Sequence, residues 1–395
     1  MAREEFRAGE AERRKERVER DIFYASERDP WHTVSIMAFG FFKKLIGGST
    51  DYAVGVDIGT ASIKMAELAW ENGATRLVNY GVLDTLEYLE RDNAAIQAHS
   101  LKLFEQQTIR YVRALADRAG IRTRRAVASL PAFAAFSTVL DIPPMPEKEI
   151  IPALQFKARQ YIPLPISSVS LDFVRIGPQK VLLLAIPNDI IAKYKAIFKG
   201  AGFDLVALET EGVSLARALT AHDEEGAGPA LVIDIGARST GVSVAERGLL
   251  FLAGQTDFAG ASLTHGVASS LSIAMRRAED LKRERGLVSV GFGADQELST
   301  LLFPLTDVIL DEAKRLRERY SAAYGTDITR VILSGGGANL PGLQDYVRKR
   351  FDLPVSKAAP YAGVAYPLSS ESILVPLGPA LAVAVGAAER GFENA

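Results

Sequence analysis

The chain contains no cysteine. That excludes disulfides, thiol nucleophiles and thiolate metal sites, and it suits a reducing compartment. Its four histidines, His32, His99, His222 and His265, are scattered and form no metal-ligand spacing. Any metal would therefore be a hard, oxygen-liganded ion such as magnesium. An excess of one charge sign is also lacking: 46 basic and 48 acidic side chains leave a net charge of −2, so no global field recruits nucleic acid. No apolar signal core opens the chain, because residues 3–20 are largely Arg and Glu. The most apolar late stretch, Leu374 to Ala388, carries Pro376 and Pro379 and falls short of the roughly 20 residues of a bilayer span. It reads as a buried helix of a soluble, cytoplasmic protein.

What is present is a globular composition. With 395 residues, 48% hydrophobic and 24% charged, the chain has room for two to four subdomains and is neither disordered nor fibrous as a whole. Residues 1–36 stand apart. Thirteen of the first twenty carry charge, and pairs such as Glu10–Arg14 and Glu16–Arg20 support a solvated helix with no apolar stripe to bury. This extension is expected to be helical or disordered. Met37, opening the stretch Met-Ala-Phe-Gly-Phe-Phe-Lys-Lys, reads as a more natural start of the globular part.

From Asp51 the pattern becomes β. Tyr52–Val56 and Ile63–Leu68 are expected strands around the turn Asp57-Ile58-Gly59-Thr60-Ala61-Ser62, and Val78–Leu83 is a third. A helix is expected over 97–120. The same text recurs at Leu231–Ile233, the turn Asp234-Ile235-Gly236-Ala237-Arg238-Ser239-Thr240, Val242–Ala245 and Leu249–Ala253. Asp57 and Asp234, Gly59 and Gly236, and Ser62 and Ser239 match at a constant offset of 177 residues. Two copies of strand, turn, strand, strand point to two similar lobes facing one cleft. Between them, 125–206 reads as an inserted α+β subdomain with helices over 146–161 and 190–200. Later, 262–285 and 307–324 are expected helices, and Arg330–Leu333 is a buried strand.

The two turns carry the chemistry. Glycine at 59 and 236 lets backbone N–H groups approach a phosphate, and Thr60, Ser62, Ser239 and Thr240 add hydroxyls. Asp57 and Asp234 stand at strand ends, where a carboxylate can hold hydrated magnesium. Lys64 is placed to reach terminal phosphates. One such turn is ordinary; two equivalent copies are what a two-jawed phosphate clamp needs. The third element, Ser334-Gly335-Gly336-Gly337-Ala338-Asn339, brings the chain flat against a ligand. It is neither a Walker loop nor a dinucleotide fingerprint.

The order Asp57-Ile-Gly-Thr, Asp234-Ile-Gly-Ala, Ser334-Gly-Gly-Gly resembles the phosphate-1, phosphate-2 and adenosine motifs of the actin-like ATPase superfamily. The stretch 139–173, with 203–219, 277–284 and the opening from Met37, looks like the PilM family of type IV pilus assembly proteins. The resemblance covers about residues 37–390. It implies a two-lobe, ribonuclease H-like α/β fold similar to FtsA. The first lobe would take 37–124 with 207–228 and the helix 374–390, the insert 125–206, and the second lobe 229–373, with a helical nucleotide-capping part over about 260–325. It implies ATP and Mg2+ in the cleft. Gly59, Thr60, Ala61, Ser62 and Lys64 would lie on one side of the phosphates and Gly236, Ala237, Arg238, Ser239 and Thr240 on the other. Asp57 and Asp234 would organise the metal, and Gly335, Gly336, Gly337 and Asn339 would back the nucleoside. Glu279 and Lys282 either border the ribose and adenine or form an ordinary surface pair. Glu211 either positions a hydrolytic water or is an acid favoured by a helix N-terminus. Arg238 either adds a cation near the γ-phosphate or points to solvent.

In function, the resemblance implies an ATP-binding scaffold of pilus biogenesis with at most slow ATPase activity. It would bind the cytoplasmic N-terminal segment of the membrane protein PilN, meet other platform and motor proteins, and touch the inner membrane through partners. No nucleic acid is expected, and self-association stays open. The alternative is an FtsA-like division protein or another actin-like cytoskeletal ATPase.

Overall fold

The computed structural model describes residues 34–38, 51–84, 105–288 and 294–393. Most of the charged extension, the Phe39–Lys44 stretch and the expected helix start at 97–104 lie outside these. The strand β1 (Val34–Ala38) pairs antiparallel with β4 (Ala74–Asp84), from Val34 opposite Leu83 to Ala38 opposite Asn79. The first sheet thus reaches across the expected boundary at Met37.

Two sheets with the same wiring organise the chain. In the first, β2 (Asp51–Ile58), β3 (Ser62–Glu71) and β4 form an antiparallel meander, and β5 (Arg125–Leu130) and β9 (Asp204–Thr210) add on parallel to β2. In the second, β10 (Ala230–Ile235), β11 (Thr240–Glu246) and β12 (Leu249–Thr256) form the meander, and β13 (Arg330–Ser334) and β14 (Val355–Lys357) follow parallel to β10. The duplication read from two turns is therefore a duplication of whole sheets.

Each lobe is layered. Residues 53–58 of β2 are all buried, as expected of a strand covered on both faces. On one face, helices α1 (Glu105–Ala119) and α3 (Asn188–Ala201) bring Val112, Leu115, Ile197 and Phe198 against Val54, Val56 and Met65. On the other lies α9 (Glu371–Arg390), with Leu381, Ala384 and Val385 against Ala66, Leu68 and Tyr80. A Cβ on Gly55 would sit 1.8 Å from the Ala384 carbonyl oxygen, so only glycine lets α9 lie this close to β2. The apolar segment Leu368–Arg390 is 23 residues long with mean hydropathy 1.6, long and apolar enough to cross a membrane. The expectation excluded a span on length; burial decides instead, since 61% of that window is buried against the protein.

The insert is smaller than its expected bounds. Its own sheet is β6 (Phe136–Asp141), β8 (Lys180–Pro187) and β7 (Val169–Gly177), under helix α2 (Glu147–Ala158). The flanking β5 and α3 belong to the first lobe's layers, which moves the limits inward from 125 and 206. Helix α3 closes at Gly202, at φ 89°, rather than at the expected Gly200. Gly200 lies inside the helix because a Cβ there would meet Ile109 at 2.6 Å. The expected helix over 262–285 is two, α5 (Gly260–Leu271) and α6 (Met275–Arg285), broken where Ser272 turns left-handed at φ 53°. Helix α7 (Ala294–Tyr324) begins well before the expected residue 307, and α8 (Leu343–Phe351) follows the triple glycine. Helix α4 (Glu211–Thr220) links β9 to the second lobe.

Candidate functional site

The two turns close in the same way. The Gly59 amide donates to the Ser62 carbonyl at 3.0 Å, and the Gly236 amide to the Ser239 carbonyl at 3.1 Å. They also meet: Ala61 of the first and Ala237 of the second pack with Met275 around the buried Ala261. The start of α5 grips the second turn, its Gly260 and Ala261 amides donating to the Gly236 and Ala237 carbonyls at 3.1 and 2.7 Å.

Beside the turns four ionisable groups converge. Lys64 Nζ lies 2.9 Å from Asp57 Oδ2, both side chains largely buried. Burial pulls the Lys64 ammonium down, but Asp57, and more weakly Asp234 and Glu211, outweigh it, so the lysine stays charged. Asp234 is pushed up to about 6, first by burial and then by the charge of Asp57; the hydroxyl of Ser334 and Lys64 act against the shift. Glu211, the first residue of α4, is raised well above the ordinary range by burial and by Asp57 and Asp234, with Lys64 and the Ala132 amide opposing. Three carboxylates thus face one cation, which invites a proton or a metal. Among the described residues no three acidic or histidine side chains could hold a metal by themselves. A magnesium ion at Asp57 and Asp234 would complete its shell with water and phosphate oxygens, as this ion prefers.

The glycine triplet divides its labour. Gly335 has φ 78°, and a Cβ there would lie 2.4 Å from the Ile235 carbonyl oxygen and 2.9 Å from Asp234 Oδ1. A Cβ on Gly337 would lie 2.3 Å from the Ile235 side chain. Both glycines press the loop onto the second turn. A Cβ on Gly336 would meet nothing within 4 Å, so this residue is the open face.

Several expected site residues are engaged otherwise. Thr240 is fully buried and donates its hydroxyl to the Phe258 carbonyl at 2.7 Å. Asn339 donates to the Pro376 carbonyl at 3.1 Å and accepts from Lys357 at 3.0 Å, tying its loop to α9. Glu279 and Lys282 are no surface pair: they are buried and 2.6 Å apart. Lys282 also donates to the Gly260 carbonyl at 3.0 Å and to Thr264 at 2.8 Å. The pair clamps α6 to the start of α5, one layer behind the second turn. Thr60, Ser62, Arg238 and Ser239 are half-buried at the turns.

Ser129 and Asp84, which sequence reasoning missed, also stand here, and Ser334, read only as the opening of the glycine loop, has a second place. Ser129 at the end of β5 and Ser334 at the end of β13 pair in register with Asp57 and Asp234. Asp84 lies opposite Ser62 at the end of β4, its carboxyl raised by burial against the opposing charges of Arg283 and Lys64. A cavity of about 250 Å³ adjoins the carboxylates, with Glu211, Asp234, Phe136, Ser137, Leu215 and Gln255 in its wall. The insert and the charged site therefore share a boundary.

Two of the solved structures that resemble this chain place it. One, described as the PilM–PilN type IV pilus biogenesis complex, is 24% identical with a TM-score of 0.74, covering 86% of this chain and 98% of that one. The other, the ethanolamine utilization protein EutJ from Carboxydothermus hydrogenoformans, is 20% identical with a TM-score of 0.51, covering 86% and 89%. These likenesses establish the actin-like two-lobe fold. The family model for type IV pilus assembly protein PilM matches residues 55–392, nearly all of both lobes and the insert, and the chain belongs to that family of actin-like pilus assembly proteins.

Proposed function

We propose that this chain binds ATP with Mg2+ between its lobes. On this reading it serves in the cytoplasm as a nucleotide-dependent scaffold of type IV pilus assembly, holding the N-terminal segment of PilN and linking the membrane platform to the motor. The observation that carries the reading is the convergence of two equivalent glycine turns, one from each lobe, on a shared group of carboxylates and one lysine. The amides of Gly59 and Gly236 and the hydroxyls of Thr60, Ser62 and Ser239 suit phosphate oxygens. Lys64 suits the terminal phosphates, and Asp57 and Asp234 suit a hydrated magnesium ion, which would neutralise phosphate charge. Gly336 offers a flat face to the nucleoside. Glu211, whose carboxyl burial and the charges of Asp57 and Asp234 raise well above the ordinary range, would orient a water better once a cation offsets those charges. That favours slow turnover over rapid hydrolysis.

The partner reading rests on family membership and on one exposed edge. Among the described residues strand β9 ends the first sheet, pairing with β5 alone, and it exposes Val206 at 48%. An extended peptide could add there, beside the insert.

Leucine at Gly336 tests the cleft. Because a Cβ at this position meets open space, Gly336→Leu is expected to melt like the parent. It should weaken Mg-ATP binding, measured by isothermal calorimetry, by about tenfold or more, the order of a side chain forced into occupied space. Unaltered affinity would remove the nucleoside from this face. Co-purification of the full chain with a synthetic PilN N-terminal peptide, with and without Mg-ATP, tests the partner; no capture in either condition would refute it.

A further inference from the structure

The duplication of the two lobes extends to a pair of hydroxyls. In the first lobe Asp57 stands in register with Ser129 on the parallel neighbour β5; in the second, Asp234 stands in register with Ser334 on the parallel neighbour β13. The two serines lie outside the duplicated turns and are unrelated in local sequence, yet they occupy the same place in the two sheets. Both are buried, Ser129 at 1% exposure and Ser334 at 0%.

Their surroundings explain what a hydroxyl does there. Ser129 Oγ donates to Asp57 Oδ1 at 3.3 Å while Lys64 holds Oδ2 at 2.9 Å. The carboxylate is gripped on both oxygens, which fixes its plane. Ser334 Oγ donates to the Pro379 carbonyl of α9 at 3.2 Å and stands within hydrogen-bonding reach of Asp234, to which the same proton can turn. The Gly335 amide next to it donates to the same carbonyl at 2.9 Å, so the second carboxylate is referenced to α9 as well as to its own sheet. Alanine would fill either position at almost the same volume, and the hydroxyl is the only polar atom each side chain contributes. A donor that fixes a charged acceptor in a buried site is the arrangement by which outer residues orient those that touch a metal.

We propose that Ser129 and Ser334 are a matched pair of positioning residues. Neither touches the ligand, and each sets the plane of the carboxylate that organises the divalent cation in its lobe. The inference rests on the Mg-nucleotide reading above and adds to it that cation binding is set by groups on the neighbouring strand of each sheet.

The test compares nucleotide affinity with and without the metal. ATP binding to the full chain is measured by calorimetry in Mg2+ and in EDTA for the parent, Ser129→Ala, Ser334→Ala, Ser129→Thr and Ser334→Thr, with melting temperatures taken without ligand. Each alanine variant is expected to lose about tenfold in Mg-ATP affinity, the order of one hydrogen bond to a charged group. Its affinity in EDTA should stay within about twofold, and the threonine variants, which keep the hydroxyl, should recover most of the Mg-dependent part. Equal losses in both conditions would show a merely structural role and overturn the proposal, as would no loss in either or threonine behaving like alanine. If the parent itself binds no ATP in either condition, the nucleotide reading fails and this inference falls with it, a result distinct from the others. Should one alanine variant not fold, the other serine and the threonine pair carry the same comparison.

Discussion

Replacing Asp234 with alanine is expected to abolish retention of Mg-nucleotide through purification and to weaken Mg-ATP binding by at least about a hundredfold, near 2.7 kcal/mol. The folded protein should keep its stability or gain some. Both halves come from the same geometry. Asp234 sits among Asp57, Glu211 and Lys64, and burial together with the Asp57 charge lifts its carboxyl to about 6. In the empty cleft it is a buried like-charged neighbour, so removing it relieves repulsion on Asp57 and Glu211. In the proposed Mg-nucleotide complex the same carboxylate would be one of the two groups, with Asp57, that hold the cation. Stability given up for function is common at binding sites. Asp57→Ala should behave differently, because it leaves Lys64 buried without the partner at 2.9 Å, and an orphaned buried charge is strongly destabilising. The contrast separates a ligand-binding role from a structural one. The measurements are nucleotide content of the purified variants, Mg-ATP calorimetry and thermal melting. Wild-type nucleotide content in Asp234→Ala would remove the metal role from this residue, and equal destabilisation by the two substitutions would contradict the electrostatic account.

What the sequence reveals of this site is what lies on local turns. Asp57 to Ser62 and Asp234 to Ser239 are short segments whose backbone closure is dictated by their own residues, so their equivalence shows in the letters. Groups brought in by pairing are hidden. Ser129 reaches Asp57 across 72 residues, and nothing in the text around Ser129 marks it; the only signal is its place at the end of the strand that follows each meander. The engagement of Thr240 is hidden for a related reason. This threonine is the first residue of β11, and the alternation of the strand turns its side chain inward, to the Phe258 carbonyl. Glu279 and Lys282 show the limit of spacing arguments: their separation puts them on one helix face, but only the packing of α6 on α5 decides that this face is buried. The fold itself is more legible, since buried strands and the long helices carry strong apolar patterns. The break at Ser272 is not, because a left-handed residue other than glycine leaves no compositional mark.

The far ends of α4 and α9 give the second large expected effect. Both helices start at the cleft, α4 at Glu211 and α9 with Pro376 and Pro379 beside the glycine loop. They run together because a Cβ on Gly386 would lie 2.0 Å from the Ser214 carbonyl oxygen. They end in a charged cluster. Arg217 of α4 donates to Glu209 at 2.7 and 3.0 Å and to Glu393 at 2.5 Å. Glu389 of α9 is left over: its side chain is 9% exposed, His222 Nε2 lies 3.7 Å from its Oε1, and among the described residues its Oε2 meets no donor. Burial, opposed by Arg217 and reinforced by Glu393 and Glu209, lifts its carboxyl to about 7. In the unfolded chain it ionises near 4.5, so between these two values the folded protein holds a proton that the unfolded chain has released. Stability therefore falls as pH rises through that window and levels off above it, by up to about 3 kcal/mol from this group alone. Glu389→Gln keeps the shape and cannot ionise. In urea denaturation the variant is expected to match the parent within about 1 kcal/mol at pH 5 and to exceed it by about 3 kcal/mol at pH 8. Other titrating groups are common to both proteins and cancel in that comparison. A gain of the same size at both pH values would mean that Glu389 is charged throughout, and the orphaned oxygen would then need a donor that the packing of α4 against α9 does not supply.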